Sequence, residues 1–297
     1  MEKILDLHVH TNCSDGFLFP KEVIDLAIKN GVCAISITDH DTISAYSDEL
    51  FDYAEERNLI LIPGVEISTK WNKCGIHVLG YNFDVNDKNL REELIKLRNS
   101  RHNYLYDVSS KIKELGYAID VDKLDKIEVV TKADIALDVI SNIVNKELLL
   151  SFFGHIPNKG EFIETLLNVG CPAHVEKYTI SPRRAVEIIE KAGGKAILAH
   201  PVAYKYEDNL SDEDILAIVN DMNVKAIEAN YHYVDKNNNR IEESSYWKEF
   251  AKSHNLLCSV GSDFHFDDGI RPSIGFKNWD IEFSREDAYI ILDYLSN

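Results

Sequence analysis

Positive charge, paired cysteines and long apolar runs are what this 297-residue chain lacks. Lys and Arg total 32 against 50 Asp and Glu, a formal net charge of −18. Such a balance argues against an extended electrostatic footprint on nucleic acid or on an anionic membrane, so an anionic substrate must be captured by a local positive feature. The five cysteines (13, 33, 74, 171 and 258) are odd in number, widely spaced and without a CxxC, which argues against a disulfide framework and a cysteine zinc site. No run of about 18 apolar residues occurs, and Met1-Glu2-Lys3 leads directly into a strand-like segment. The expectation is therefore a soluble cytoplasmic protein with neither a membrane span nor a signal peptide. No GxSxG is present, and repeats and low-complexity segments are absent. What the chain does have is eleven histidines, in a length that allows one large domain or a core domain carrying a smaller one.

Short apolar runs alternate with helical patterns. Strands are expected near 4–9, 33–38, 59–67, 76–82, 195–200, 224–229 and 256–261, and helices over 20–30, 43–57, 182–192, 211–221 and 240–254. Pro20 opens the first helix and Gly31 closes it. This alternation implies parallel strands joined by crossover helices, and seven of them favour a barrel-like α/β fold over an open sheet. Over 86–174 the rhythm changes to charged helical segments without a good strand, which marks an inserted helical subdomain between barrel segments 1–85 and 175–297. The insertion leaves after the fourth strand and returns before the fifth. A lid or specificity role and a merely stabilising extra layer are both open for it.

Reactive side chains gather at strand ends. His8 and His10 are two apart on the first strand and share a face, with Asp15 in the following loop. The second strand ends Thr38-Asp39-His40-Asp41, the third in Glu66, the fourth carries His77 and the fifth ends Ala199-His200-Pro201. The sixth runs into Glu228, Asn230 and His232, and the seventh closes with Gly261-Ser262-Asp263-Phe264-His265. A single such histidine is ordinarily a hydrogen-bonded loop residue. Six histidines and three carboxylates at one rim are another matter, because unpaired they would cost several kcal/mol in desolvation and repulsion. Divalent ions resolve that cost, and imidazole with carboxylate suits Zn, Mn or Fe.

The segments DLHVHTNCSDG, TDHD, GVEI, IHVLGY, LAHP and GSDFH, in this order and spacing, resemble the PHP (polymerase and histidinol phosphatase) family of metal-dependent phosphoesterases. The likeness covers 4–82 and 195–275 and reaches into the end of the insertion. Within the family it is nearest the stand-alone group acting on nucleoside monophosphates, 3′,5′-bisphosphates or RNA 5′ ends. The resemblance implies a distorted seven-stranded, (β/α)7 TIM-like barrel with a three-metal centre. His8, His10, Glu66 and Asp263 would hold the first ion, Glu66 would bridge to a second held by His77 and His200, and Asp15, His40 and His265 would hold the third. Such ions bring the pKa of bound water to about 7, so no protein nucleophile is needed. Ser14 and Ser262 are then turn residues in metal-binding loops. Glu66, Asp263 and His232 are the catalytic candidates.

Around that centre, Asp6, Asp39 and Asp41 are placed either to orient imidazole N–H groups or, for the latter two, to cap the following helix. Arg271, His232, Lys177 and Lys132 are the candidates for phosphate recognition, with His232 also a possible general acid. Relatives commonly carry an Arg-Pro-His run where this chain has Thr131-Lys132-Ala133-Asp134, and a lysine lacks the bidentate fork of arginine. The expected partner is a small phosphorylated substrate, of nucleotide type, or a short RNA 5′ end, without a membrane or an extended nucleic-acid surface. Histidinol-phosphate phosphatase, an amidohydrolase-type metal hydrolase and a non-catalytic nucleotide-binding module are the alternatives. A metal-bridging lysine would mark the amidohydrolase kind, and Glu66 occupies that place.

Overall fold

Strand β1 (Ile4–Val9) is buried along its length from Leu5 onward, as a strand covered on both faces must be. The computed structural model describes residues 4–127, 130–176, 178–235, 238–279 and 283–297. Strands β2 (Val32–Ile37), β3 (Ile60–Trp71), β4 (Cys74–Tyr81), β5 (Lys195–Leu198) and β6 (Ala226–Asn230) follow. A two-stranded ribbon, β7 (His232–Val234) with β8 (Arg240–Glu242), precedes β9 (Leu257–Val260). Seven strands form one sheet in the order β1-β2-β3-β4-β5-β6-β9. The result is a mixed α/β fold with a mostly parallel seven-stranded sheet.

The expectation of uniformly parallel strands needs correction at β4. It pairs antiparallel with both β3 and β5. Trp71 pairs with Cys74, so only Asn72 and Lys73 lie between the two strands, far too few for a crossover. Asn72 takes the left-handed turn conformation, φ 54°. The expected helix at 43–57 shortens to Asp48–Glu55, because the Ser47 side chain accepts from Leu50 N–H and caps it there. The helix expected from 240 starts at Ser244, after the β8 residues.

The chain divides into two compact units, Met1–Ile95 with Thr179–Asn297, and Lys96–Tyr178. In the first, Leu5, Leu7, Leu79, Tyr81, Ile197 and Val260 belong to one core cluster, and Tyr81 donates its hydroxyl to the Leu7 carbonyl at 2.8 Å. Asp6 is fully buried in it and accepts from the backbone N–H groups of Ser262 and Gly275, each at 2.9 Å, tying β1 to the segment after β9. Burial pushes its carboxyl up to about 6 against those lowering hydrogen bonds. The tie is reinforced where His10 N–H reaches Phe264 O at 2.9 Å and Asp263 N–H reaches His8 O at 2.8 Å. The second unit is helical and builds its own core from Leu105, Val108, Ile112, Ile135, Leu149 and Phe162. Among the described residues no helix is long and apolar enough to cross a membrane.

Candidate metal centre

His8 and His10 point to the same side of β1 because side chains alternate along a strand, and both are fully buried. Into the space before them project Glu66 from β3, His77 from β4 and His40 from the end of β2, with Asp15, His200, Asp263 and His265 from loops. These nine are the residues assigned from the sequence as metal ligands, and each lies within 3.7 Å of another member.

Glu66 is central. Its Oε1 faces His77 Nδ1 at 2.8 Å and His200 Nε2 at 3.0 Å, and these two nitrogens are 3.3 Å apart. Its Oε2 faces His8 Nε2 and His10 Nε2, both at 3.2 Å, and His40 Nδ1 at 3.1 Å. Asp263 Oδ1 completes a group with His10 Nε2 (3.0 Å) and His8 Nε2 (3.3 Å). Asp15 gathers His265 Nε2 at 3.3 Å, His10 Nδ1 at 3.5 Å and His40 Nε2 at 3.7 Å. His10 and His40 therefore each stand between two groups.

The donor chemistry fits divalent ions. His8 Nδ1 lies 3.0 and 3.1 Å from the two oxygens of Glu228, an acceptor that fixes the proton on Nδ1 and leaves Nε2 a lone pair. That lone pair points at His10 Nε2, 3.1 Å away, and at two carboxylates. Asp263 Oδ1, with three imidazoles around it, accepts no well-formed hydrogen bond, and the buried His10 Nδ1, which faces Asp15, makes none. Convergent, undersatisfied N and O atoms of this kind match the requirements of Zn, Mn or Fe.

Electrostatics follow from the crowding. Burial works against His8 and His10, yet the carboxylates of Glu228, Glu66 and Asp263 outweigh it and hold both above the usual imidazole range, His10 at about 10. Burial likewise opposes ionisation of Glu66 and Asp263, and the surrounding imidazoles reverse it and hold both well below the carboxylate range. For His40 burial prevails and its pKa falls to about 3. Without metal, protonated imidazoles neutralise the buried carboxylates. The raised histidines then stabilise the fold fully below about pH 6.5, their unfolded value, and that stability is lost as pH climbs toward 10. Chelator-treated protein is expected to melt at a lower temperature at pH 9 than at pH 7. Saturating Mn2+ should flatten or reverse the trend, since metal ligation needs deprotonated imidazoles; thermal melts across that range check it.

Residues without an assigned role prove structural to the site. Glu228, fully buried on β6, also accepts the His200 backbone N–H at 2.9 Å. Tyr231 donates its hydroxyl to Asp263 Oδ2 at 2.9 Å. Any Cβ at Gly261 would overlap His8 Cβ and Glu228 Oε1. Gly261→Ala is expected to cost about 1–3 kcal/mol in urea unfolding and to weaken metal retention with it. Glu228 was visible as a strand-end carboxylate, but no spacing shows that it lies beneath His8. His200 (φ 20°) and Asp263 (φ 52°) sit in backbone conformations unusual for non-glycine residues, a strain that recurs at functional sites.

Asp6, Asp39 and Asp41 each accept hydrogen bonds from the backbone of the segments around the centre. Asp39 accepts from Thr11 N–H and hydroxyl at 2.7 Å and from the Ser14 hydroxyl at 2.6 Å, bracing the loop that carries Asp15. Asp41 accepts from Ser68 N–H at 2.8 Å. Arg271 lines a cleft of about 340 Å3 with Asp263, His265 and His232, and its guanidinium is bonded to Asp268 at 2.7 Å. His232 is buried there, neither ring nitrogen hydrogen-bonded, with Trp279 edge-on at 4.7 Å, and burial lowers its pKa. A second cleft, about 390 Å3, exposes Glu66, His77 and His200. Lys132 lies in the helical unit, 2.9 Å from Asn168 Oδ1. Lys177 lies outside the described residues.

A seven-stranded α/β sheet whose strands and following loops supply this constellation defines a hydrolase that works through bound metal. Residues 6–157 match the PHP domain model, and the chain belongs to the PHP family, as a metal-dependent phosphoesterase. It is 32% identical to a 5′-3′ exoribonuclease of Haemophilus influenzae over 90% of this chain and 91% of that protein. It is 27% identical to a 3′,5′-nucleoside bisphosphate phosphatase of Chromobacterium violaceum, over 88% and 87% of the two chains. Among solved structures, an amidohydrolase from Chromobacterium violaceum with bound sulfate and no metal superposes with a TM-score of 0.68 at 25% identity, covering 98% of this chain and 96% of that one.

Proposed function

We propose that this chain hydrolyses phosphate esters of small nucleotide-like substrates, a 3′,5′-bisphosphate or a short RNA 5′ end, at three divalent ions of the Mn, Fe or Zn type. The observation that carries the proposal is the two-sided Glu66 carboxylate, one oxygen serving His77 and His200 and the other serving His8, His10 and His40. His8, His10, Glu66 and Asp263 would hold one ion, Glu66, His77 and His200 a second, and Asp15, His40 and His265 a third, with His10 and His40 shared at the borders. Bound ions of this kind supply water activation and neutralise phosphoryl charge.

The chain's own residues do the rest. Glu228 holds His8 in one tautomer and Tyr231 aims Asp263. His232, uncharged at neutral pH through its lowered pKa and open to the cleft beside Asp263, donates a hydrogen bond to the substrate. Arg271 is positioned to exchange its Asp268 partner for a phosphate oxygen. The bonds between β1 and the residues after β9 support a closed barrel.

The amidohydrolase name of the structural relative keeps a second reading open. Glu66, standing where a metal-bridging lysine would mark that chemistry, and the phosphoesterase names of the curated relatives favour phosphate esters. A manganese-supplemented phosphate-release screen decides. It would compare nucleoside 5′-monophosphates, 3′,5′-bisphosphates, 5′-phosphorylated RNA and histidinol phosphate, with dipeptides and cyclic amides scored for amide cleavage. Turnover of amides alone would overturn the proposal.

A further inference from the structure

Among the described residues of the sheet unit, the exposed phenylalanines are Phe17, Phe19 and Phe266, at 77%, 61% and 47% exposure. All three lie on the two loops that carry the centre's outer ligands. Phe17 follows Asp15 by two residues and its N–H is bonded to the His265 carbonyl at 2.8 Å. Phe266 is the next residue after His265 and lines the cleft shared by Asp263, His265, His232 and Arg271. The parallel bridge between Val9 and Phe264 holds the two loops side by side. Phe266 stands in water at the cleft itself and Phe17 on the loop bonded to His265, and exposed rings grouped beside a site mark a binding surface.

The charges at that mouth limit what can bind. Among the described residues lining the two clefts, Arg271 is the one Lys or Arg, and Asp268 occupies it, while Glu207 and Asp208 add negative charge. A strand tracked through its phosphates would be repelled beyond the first. Nucleobases offer uncharged faces to phenylalanine and need no cation.

We infer that Phe17 and Phe266 form a stacking platform for the bases that follow the 5′ nucleotide of a single-stranded oligoribonucleotide. The inference rests on the proposed function and names its substrate class. It is consistent with a protein that engages a strand end while the rest of its surface is acidic.

The test compares Phe17→Ala, Phe266→Ala and Phe266→Trp with the wild-type chain, all manganese-loaded. The substrates are an adenosine 3′,5′-bisphosphate and a 5′-phosphorylated tetraribonucleotide carrying 2-aminopurine second. Each alanine variant is expected to raise KM for the tetranucleotide by about tenfold, with kcat and the bisphosphate KM unchanged. The 2-aminopurine quenching seen on binding should weaken in the alanine variants and survive in Phe266→Trp, and the KM change should persist between low and high salt. An unchanged tetranucleotide KM in both alanine variants, or an equal rise for the bisphosphate, overturns the platform. Wild-type protein that cleaves the bisphosphate and leaves the tetranucleotide intact also overturns it and leaves the phosphoesterase reading standing. Protein that cleaves neither overturns the proposed function as well.

Discussion

Glu66→Gln is expected to lower phosphate release on the order of 10^3-fold or more while circular dichroism stays native. The substitution keeps size and shape. It replaces one oxygen by an NH2 group, which is a donor only and has no lone pair to offer a metal ion shared with the imidazoles on that side. Whichever way the amide turns, it fails one side: His77 and His200 at 2.8 and 3.0 Å, or His8, His10 and His40 at 3.1–3.2 Å. Metal content should fall together with activity. A Glu66→Gln enzyme within tenfold of wild type would contradict the bridging role.

Glu228→Gln should weaken metal binding by about 10–100-fold, although Glu228 is not itself assigned as a ligand. Its carboxylate accepts twice, from His8 Nδ1 and from the His200 backbone N–H at 2.9 Å. Oε2 faces both donors and Oε1 faces His8 alone, so a glutamine must put its NH2 in one of those two places. With the NH2 in the Oε1 place, 3.0 Å from His8 Nδ1, a donor stands against the Nδ1 proton and pushes the imidazole toward the tautomer that lacks the lone pair directed at the cluster. If the NH2 meets His200 N–H, two donors oppose each other in a buried site, and the loop holding His200 is displaced. The manganese concentration giving half-maximal activity should therefore rise, with activity recovered in part at high manganese. An unchanged manganese dependence would show that Glu228 is no more than packing.

How much of this could be read from the chain itself differs by kind of feature. The nine clustered residues were legible because they recur in or after successive strands, where chain order and strand periodicity bring side chains together; Glu66 and His77, expected near strand ends, lie inside β3 and β4, which run on to Trp71 and Tyr81. Glu228 was not, because its role depends on lying under His8, 220 positions away, and no local pattern encodes that pairing. Asp6 shares parity with His8 and His10 and so resembles an imidazole partner, but its carboxylate turns to the backbone of Ser262 and Gly275. The reversal of β4 was readable in principle from Asn72, a left-handed turn former two residues before Cys74; apolar runs alone carry no direction. Phe17 and Phe266 look like ordinary hydrophobic residues in sequence, and only their exposure distinguishes them.

The most direct measurement is metal analysis of gently purified protein, paired with phosphate release on the same samples as chelator strips the ions stepwise. Close to three divalent ions per chain are expected at full activity, with activity lost as the first ions leave. Full activity with a single ion per chain, or with none, would contradict a trinuclear centre bridged by Glu66.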